Sequence, residues 1–407
     1  MMRKCLLLLL IPAFFSCQNS VRKIEVSEAA IASGNDAAGA PYFSSDPSGK
    51  PVLCWTEGAE GNLRLRYAVY NEAQKKFTEP ISIPASEGTS IHNESMNKIA
   101  FKKDGTIVVV FSKKHPTEKN KYAGSILYCQ SFDQGRSWTK AKYLHSDTLA
   151  DNSRSFFDIA ALPDGEIGAV WVDSRFKSGK EGSALFFTKT KGEQGFEPDH
   201  QIGETVCECC RTDLYVDPAN NVHVVYRDIE STVKGQVRDF VHAVSNDNGV
   251  TFTATGKVSP DNWLIDGCPH TGASMAVNQA GLFVTWFTAG GQPGIYFTKS
   301  LDNGTTFQPR QLLSEEARHP QVVASGDKIV AVWDETQQQH ATHAGHSGHA
   351  AGHGATGVIT FSILGEQAVK IPGSEGAEFP VVYALSPDVS LVAYSKNDKV
   401  ITRVVKH

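Results

Sequence analysis

The sequence predicts an all-β fold, a single β-propeller of four-stranded antiparallel blades. Three observations carry that prediction. An eight-residue turn pattern recurs: Ser131-Phe132-Asp133-Gln134-Gly135-Arg136-Ser137-Trp138, then Ser245-Asn246-Asp247-Asn248-Gly249-Val250-Thr251-Phe252, then Ser300-Leu301-Asp302-Asn303-Gly304-Thr305-Thr306-Phe307. The copies start 114 and 55 residues apart, close to two units and one unit of about 57, and worn copies stand where the period places them, at 188–196 and 71–77. Seven apolar runs each end in an aromatic, at Trp55, Phe111, Trp171, Tyr226, Trp286, Trp333 and Tyr394, spaced by 56, 60, 55, 60, 47 and 61 residues.

Each part of the turn pattern has a physical task. The Asp side chain accepts backbone N–H groups two residues on, which closes a turn. The Gly takes the positive φ that a tight hairpin needs. The aromatic returns under the turn and packs between sheets. The aromatic-ended runs follow turn signals such as Asp104-Gly105 and Pro163-Asp164-Gly165, and another short apolar strand precedes each turn. A unit therefore reads as inner strand, turn, second strand, long loop, third strand, Asp turn, outer strand. The count is seven units, with six blades as the alternative. The seventh unit runs out early, and residues 23–30 are expected to supply its outer strand, which closes the ring and hides the sheet edges. No long helical period occurs.

The Ser-x-Asp-x-Gly-x-x-aromatic pattern resembles the Asp box of the sialidase superfamily, also called the bacterial neuraminidase repeat. The resemblance covers nearly all of residues 18–407 and implies that Asp133, Asp247 and Asp302 are structural, on outer turns far from a central site. It also implies a retaining glycosidase in which three Arg grip a carboxylate, a Tyr nucleophile works with a Glu, and an Asp is acid/base. Guanidinium groups suit that task because they bind a carboxylate bidentately. The counterparts in this sequence are Arg154, Arg211 and Arg318, with Tyr383 and Glu378 as the Tyr–Glu pair. Two departures stand out. The family has six blades, and it places an Arg-x-Pro in the first unit, where this chain has Ala40-Pro41-Tyr42; Arg318-His319-Pro320 has that form in the sixth. Robust exo-sialidase turnover is therefore not expected.

The chain has 407 residues, 41% hydrophobic and 20% charged, with a net charge of −5. Residues 1–17 read as a signal peptide, with Arg3-Lys4 before an apolar stretch too short to span a bilayer. The leader ends Phe14-Phe15-Ser16-Cys17, which resembles a bacterial lipobox; the resemblance implies lipidation of Cys17 and a membrane-anchored protein of the cell envelope, on its periplasmic or surface face. Without Arg3 and Lys4 there are 37 basic and 44 acidic residues, a net of −7, which argues against nucleic acid as a partner.

The polar residues of catalytic and ligand type gather just before the inner strands, at His92 and Glu94, Arg154, Cys209-Cys210-Arg211, Cys268-Pro269-His270, Arg318-His319 and Glu378. In a propeller those positions ring the channel mouth. Cys207, Cys209 and Cys210 open the fourth unit, and Cys268 and His270 open the fifth, so they are expected to converge. Thiolates with imidazole suit Cu(I) or Zn; an exported chain also permits two disulfides joining the same loops. Residues 336–357 form a low-complexity insertion bearing His340, His343, His346, His349 and His353, ligands for Cu, Zn or Ni. Cys54 and Cys129, within apolar strands, are expected to be buried. The function expected from these residues is transition-metal handling, with Cu or Zn as the bound ion and otherwise no cofactor. The alternatives are a sialidase-like hydrolase and a scaffold for a glycan or protein ligand.

Overall fold

In the computed structural model, which describes residues 23–32, 34, 36–175, 182–336 and 357–407, each aromatic-ended run is the second strand of a blade. These strands are buried on both faces, as in Ile167–Asp173 and Val222–Arg227, because each is covered by the neighbouring blades. That explains why they read as continuous apolar runs rather than alternating ones. There are seven blades. Their inner strands are Ala37–Ser45, Lys98–Phe101, Arg154–Ala161, Asp213–Val216, Ser274–Asn278, Ala317–Ser325 and Ala377–Ser386. The six-blade alternative does not hold. Two 3₁₀ turns are the only helical segments among the described residues.

The ring closes as the short seventh unit predicts. Glu25–Glu28 pairs antiparallel with Lys399–Lys406, Glu25 opposite Lys406 and Glu28 opposite Arg403. The chain then passes to the first blade, where Ala30 bridges Lys76. Both termini of the propeller thus share one sheet, and no blade keeps an open outer edge from a missing strand.

The Asp turns are the outer joints between blades. Asp133 holds the backbone N–H and hydroxyl of Ser137 at 2.8 and 2.6 Å, and Asp247 and Asp302 hold Thr251 and Thr306 in the same way. The closing bond reaches four residues on, not the two expected from an isolated Asx turn. The hydroxyl and N–H bonds keep all three carboxylates at about 2. Each turn glycine lies flat on a ring from the third strand of the preceding blade. A Cβ on Gly135 would stand 2.2 Å from the Tyr67 hydroxyl, on Gly195 2.0 Å from that of Tyr128, on Gly249 2.3 Å from Phe187 and on Gly304 2.2 Å from His242. The aromatic that ends each turn packs on that same ring: Trp138 on Tyr67, Phe196 on Tyr128, Phe252 on Phe187 and Phe307 on His242. Gly195 and Phe196 belong to the worn copy at 188–196, so the copy keeps the joint while losing the Asp.

In the fourth joint the ring is His242, which belongs to a buried chain of polar groups. His242 Nε2 lies 2.9 Å from His223 Nδ1, and His223 Nε2 lies 3.2 Å from Asp217. Two facing ring nitrogens share one proton, so a second one would set N–H against N–H. Burial, then His223, pushes His242 down to about 3, and burial lowers His223 against the pull of Asp217.

Gly304→Ala should lower the unfolding free energy by about 2–4 kcal/mol, since it adds a clash to a left-handed backbone. Gly105→Ala, with a similar φ and nothing within 4 Å, should cost about 1 kcal/mol; urea denaturation of both variants checks the contrast. The histidine pair has a definite pH sign. Both folded-state values lie below the unfolded 6.5, so their contribution is complete above that pH and is lost as pH falls. The unfolding free energy from urea titrations should drop between pH 7 and pH 5, by up to about 2 kcal/mol per fully depressed histidine, and His242→Gln should flatten the drop.

Candidate functional site

Several inner strands have a backbone N–H satisfied by a side chain of the adjacent blade. Ser95 accepts the N–H of Phe156, Asp158 that of Leu214, Asp213 that of Met275 and Ser274 that of Val322, at 2.9, 2.8, 2.6 and 3.2 Å. Lys98 is buried among these groups, 2.7 Å from the Phe157 carbonyl and 3.4 Å from Asp158. Burial, reinforced by Asp158, pushes Asp213 up to about 7. The inner strands of blades 1, 3, 6 and 7 also carry a bulge at Ala40, Phe156, His319 and Phe379, each with φ between 50° and 53°. Three of the four precede a proline. The Arg318-His319-Pro320 sequence is therefore one of a set of x-Pro bulges that re-aim side chains at the channel mouth.

Arg211 crosses this mouth. Its guanidinium meets Glu94 of blade 2 at 3.1 Å and approaches the carbonyls of Ala273 and Pro320, in blades 5 and 6, at 3.4 Å. With its amide oxygen turned toward Arg211, Gln321 accepts from it at 3.3 and 3.1 Å. The second Glu94 oxygen takes the Gly272 N–H at 2.9 Å. The pair is buried and internally satisfied. The space above it, between Pro41, Asn93, His319 and Phe379, amounts to about 220 Å³, of which only about 10 Å³ is open to the centre of a water molecule. That is room for about one water, against the 300 Å³ or more of a typical small-molecule pocket.

The three arginines proposed to hold a carboxylate have different partners. Arg154 contacts Asp147 at 2.5 Å and Asp173 at 3.5 Å. Arg211 is paired with Glu94. Arg318 lies over the Phe287 ring at 4.4 Å and has no ion pair among the described residues. Glu378 is near the start of one inner strand and Tyr383 lies five residues on, a span of at most roughly 16 Å at 3.3 Å per residue. The Tyr383 hydroxyl bonds Ser45 at 2.9 Å and the Gly49 carbonyl at 3.2 Å, at the turn of blade 1. Glu378 keeps its proton more readily than an ordinary carboxyl because it is buried beside Asp334. Asp334 itself holds His319 at 2.8 Å and the Phe379 N–H at 2.7 Å. Burial disfavours the His319 cation, but that carboxylate outweighs it and raises the imidazole.

The sulfur atoms do gather. The turn between blades 3 and 4 places Cys207, Cys209 and Cys210 with all ligand atoms within 4.8 Å of one another. Cys207 Sγ is 3.5 Å from Cys209 and 3.7 Å from Cys210, and the described cysteines form no disulfide. All three are buried, against Val206, Leu214, Tyr226 and Ile229. Cys268, the one exposed cysteine among the described residues, comes from the loop between blades 4 and 5 and interacts with Cys209, but lies outside the group of ligand atoms within 4.8 Å of one another. His270, two residues on, is exposed and not part of the ligand group found among the described residues. Arg238 donates to Cys207 at 3.2 Å. Hydrogen bonds from Cys209 and Cys210, then Arg238 and Arg227, hold the Cys207 thiol well below its usual value, while burial pushes Cys210 up to about 12. Cys54 and Cys129 are fully buried, and burial raises both to about 12. The histidines at 340, 343, 346, 349 and 353, and Cys17, lie outside the described residues. Arg227 and Arg238 escaped sequence reasoning; the only signal was a basic residue directly after the Tyr226 marker and another in an unusually long loop.

Residues 56–329 match the BNR repeat-like domain. Among solved structures, a protein of unknown function from Dyadobacter fermentans is 12% identical, with TM-score 0.54 over 94% of this chain and 99% of that one. The Hadza microbial sialidase Hz136 is 14% identical, with TM-score 0.52 over 86% of this chain and 74% of that one. At such identities the likeness is one of fold. Comparison with curated proteins gave no match.

Arg211→Met should leave Glu94 buried and uncompensated, at a cost of about 3–5 kcal/mol. The double variant Arg211→Met/Glu94→Gln should recover much of that loss. Denaturation of the two proteins side by side checks the coupling; equal stabilities would show that the pair is not the strut described here.

Proposed function

The chain belongs to the BNR repeat-like domain family, and on that scaffold we propose a transition-metal-handling protein whose centre is the sulfur cluster of Cys207, Cys209, Cys210 and Cys268. The observation that carries the reading is the sulfur spacing. A tetrahedral ion at about 2.3 Å from each thiolate holds its sulfurs about 3.8 Å apart, and two of the distances here are 3.5 and 3.7 Å. A disulfide needs about 2.05 Å, and two thiols so close in sequence meet its torsional demands poorly. Cu and Zn are the ions that such soft ligands select. The histidines at 340, 343, 346, 349 and 353 add imidazole ligands on sequence grounds, as a second element that captures the ion. The leader sequence and Cys17 support, on the same grounds, a lipid-anchored position at the bacterial cell envelope.

The sialidase-like reading has weaker support. It draws on the propeller and on the arginines, but Arg211 is neutralised by Glu94 and the channel mouth holds about one water. The scaffold reading, in which the same cysteines are disulfides, has the surface to support it. A groove of about 470 Å³ is lined by Trp263, Leu264, Ile265 and Pro293.

Protein purified from an oxidising compartment should carry one Cu or Zn per chain. After denaturation with a chelator it should titrate as six thiols, the eight cysteines of the sequence less Cys5 of the leader and the lipidated Cys17. Cys207→Ser should remove the metal. Elemental analysis and a thiol count on one sample check this; no metal, with two or four thiols missing, would leave the disulfide scaffold in its place.

A further inference from the structure

The sulfur triad has two cations built against it. Arg227 is 1% exposed and has no carboxylate partner among the described residues. Its guanidinium donates to the carbonyls of Arg238 and Phe287, both at 2.9 Å, and lies over the rings of Phe240 and Trp263 at 4.1 and 5.0 Å. Its Nε has no partner. Carbonyls and ring faces offer partial charge only, and a buried cation without a counter-ion is costly. The backbone carbonyl of Arg227 accepts the Cys207 N–H at 2.8 Å, so the same residue frames the cluster. Arg238, 6% exposed, touches Cys207 Sγ; its one carboxylate, Glu208 at 3.4 Å, has a side chain 45% exposed and is screened by water. Arg238 thus meets Cys207 Sγ directly, and Arg227 is tied to the cluster through its own carbonyl and through that of Arg238.

Resting on the metal-binding reading above, we infer that the buried triad is built for a soft monovalent cation, Cu(I), with Arg227 and Arg238 as its counter-charges, and that Cys268 is the exposed ligand through which the ion is exchanged. The argument is charge balance in an apolar setting. Three ligating thiolates against two guanidinium groups leave one negative charge. A monovalent ion cancels it. A divalent ion leaves a net positive charge buried among Val206, Leu214 and Ile229, unless a fourth thiolate joins. Cys268 is the one cysteine positioned to do so. Zinc thus needs Cys268 for both charge and its four-coordinate geometry, whereas Cu(I) needs only the triad. Each thiol that ligates gives its proton to solvent. The copper enters and leaves as Cu(I), so no electron is transferred. In exchange, a bond from the ion to Cys268 forms as a bond to the donor ligand breaks; the buried sulfurs then replace the remaining donor ligands and finally Cys268, whose bond to the ion breaks and whose thiol takes a proton back from solvent.

The test is anaerobic titration of the reduced full-length protein with Cu(I) against bicinchoninate, and with Zn²⁺ against a chromogenic zinc chelator. Cys268→Ser should weaken zinc by about 100-fold through loss of a ligand. It should leave the Cu(I) affinity within a factor of about 10 while slowing Cu(I) transfer from bicinchoninate in stopped flow by about the same factor. Arg227→Met should weaken Cu(I) by about 10–100-fold, and Arg227→Lys, which keeps the charge, should not. A loss of Cu(I) affinity in Cys268→Ser as large as that of zinc would overturn the inference and leave the metal site standing. Binding of neither ion by the wild-type protein would instead defeat the metal-binding reading itself. Cys268 is exposed, so its variant folds irrespective of the fate of Arg227→Met and decides the matter alone.

Discussion

The buried ion pair between Arg211 and Glu94 is the constraint on which the channel depends. It links the start of blade 4 to blade 2, and through the carbonyls of Ala273 and Pro320 it reaches blades 5 and 6. A charge taken out of water must find its full complement of partners in the protein. Here those partners come from four blades, so the pair can be satisfied only when the ring is complete. The side chains of Ser95, Asp158, Asp213 and Ser274 extend the same logic around the channel, each holding the backbone of the next inner strand. Polarity at the mouth is thus largely spent on closing the propeller.

The outer rim is joined by different physics. There the turn glycines let a backbone lie flat on an aromatic ring of the preceding blade, and the following aromatic packs on the same ring. The carboxylate of each Asp holds the turn shape that makes this approach possible, and it does so at the surface. Directional bonds inside and ring contacts outside leave the second strands to supply the apolar core between blades.

The sulfur cluster stands apart from both systems. It occupies the step from blade 3 to blade 4, and the loop from blade 4 to blade 5 brings Cys268 over it. No inter-blade bond requires three sulfurs there, and two arginines face them without adequate carboxylates. The guanidinium groups beside it meet carbonyls, ring faces and one exposed carboxylate rather than buried acids. That sets it apart from Arg154 and Arg211 at the channel, whose charges are answered by Asp147, Asp173 and Glu94.

The sequence by itself determined the architecture. Seven aromatic-ended runs, the Asp turns and the short last unit specify blade number, strand order and closure, because each depends on local turn chemistry and on a repeat length that a one-dimensional pattern records. It also marked the residues of the mouth, since their position before an inner strand follows from the repeat. Only the tertiary structure decided which of them meet. Arg154, Arg211 and Arg318 hold equivalent places in the sequence, yet bulges and neighbouring blades send them to Asp147, Glu94 and the Phe287 ring. Tyr383 and Glu378 look adjacent in the chain, and an extended strand sets them far apart. The role of Arg227 was invisible, because nothing in a sequence tells whether a buried cation has a carboxylate beside it. Partnership between charges is a property of three-dimensional distance, and residues far apart in the chain supply it.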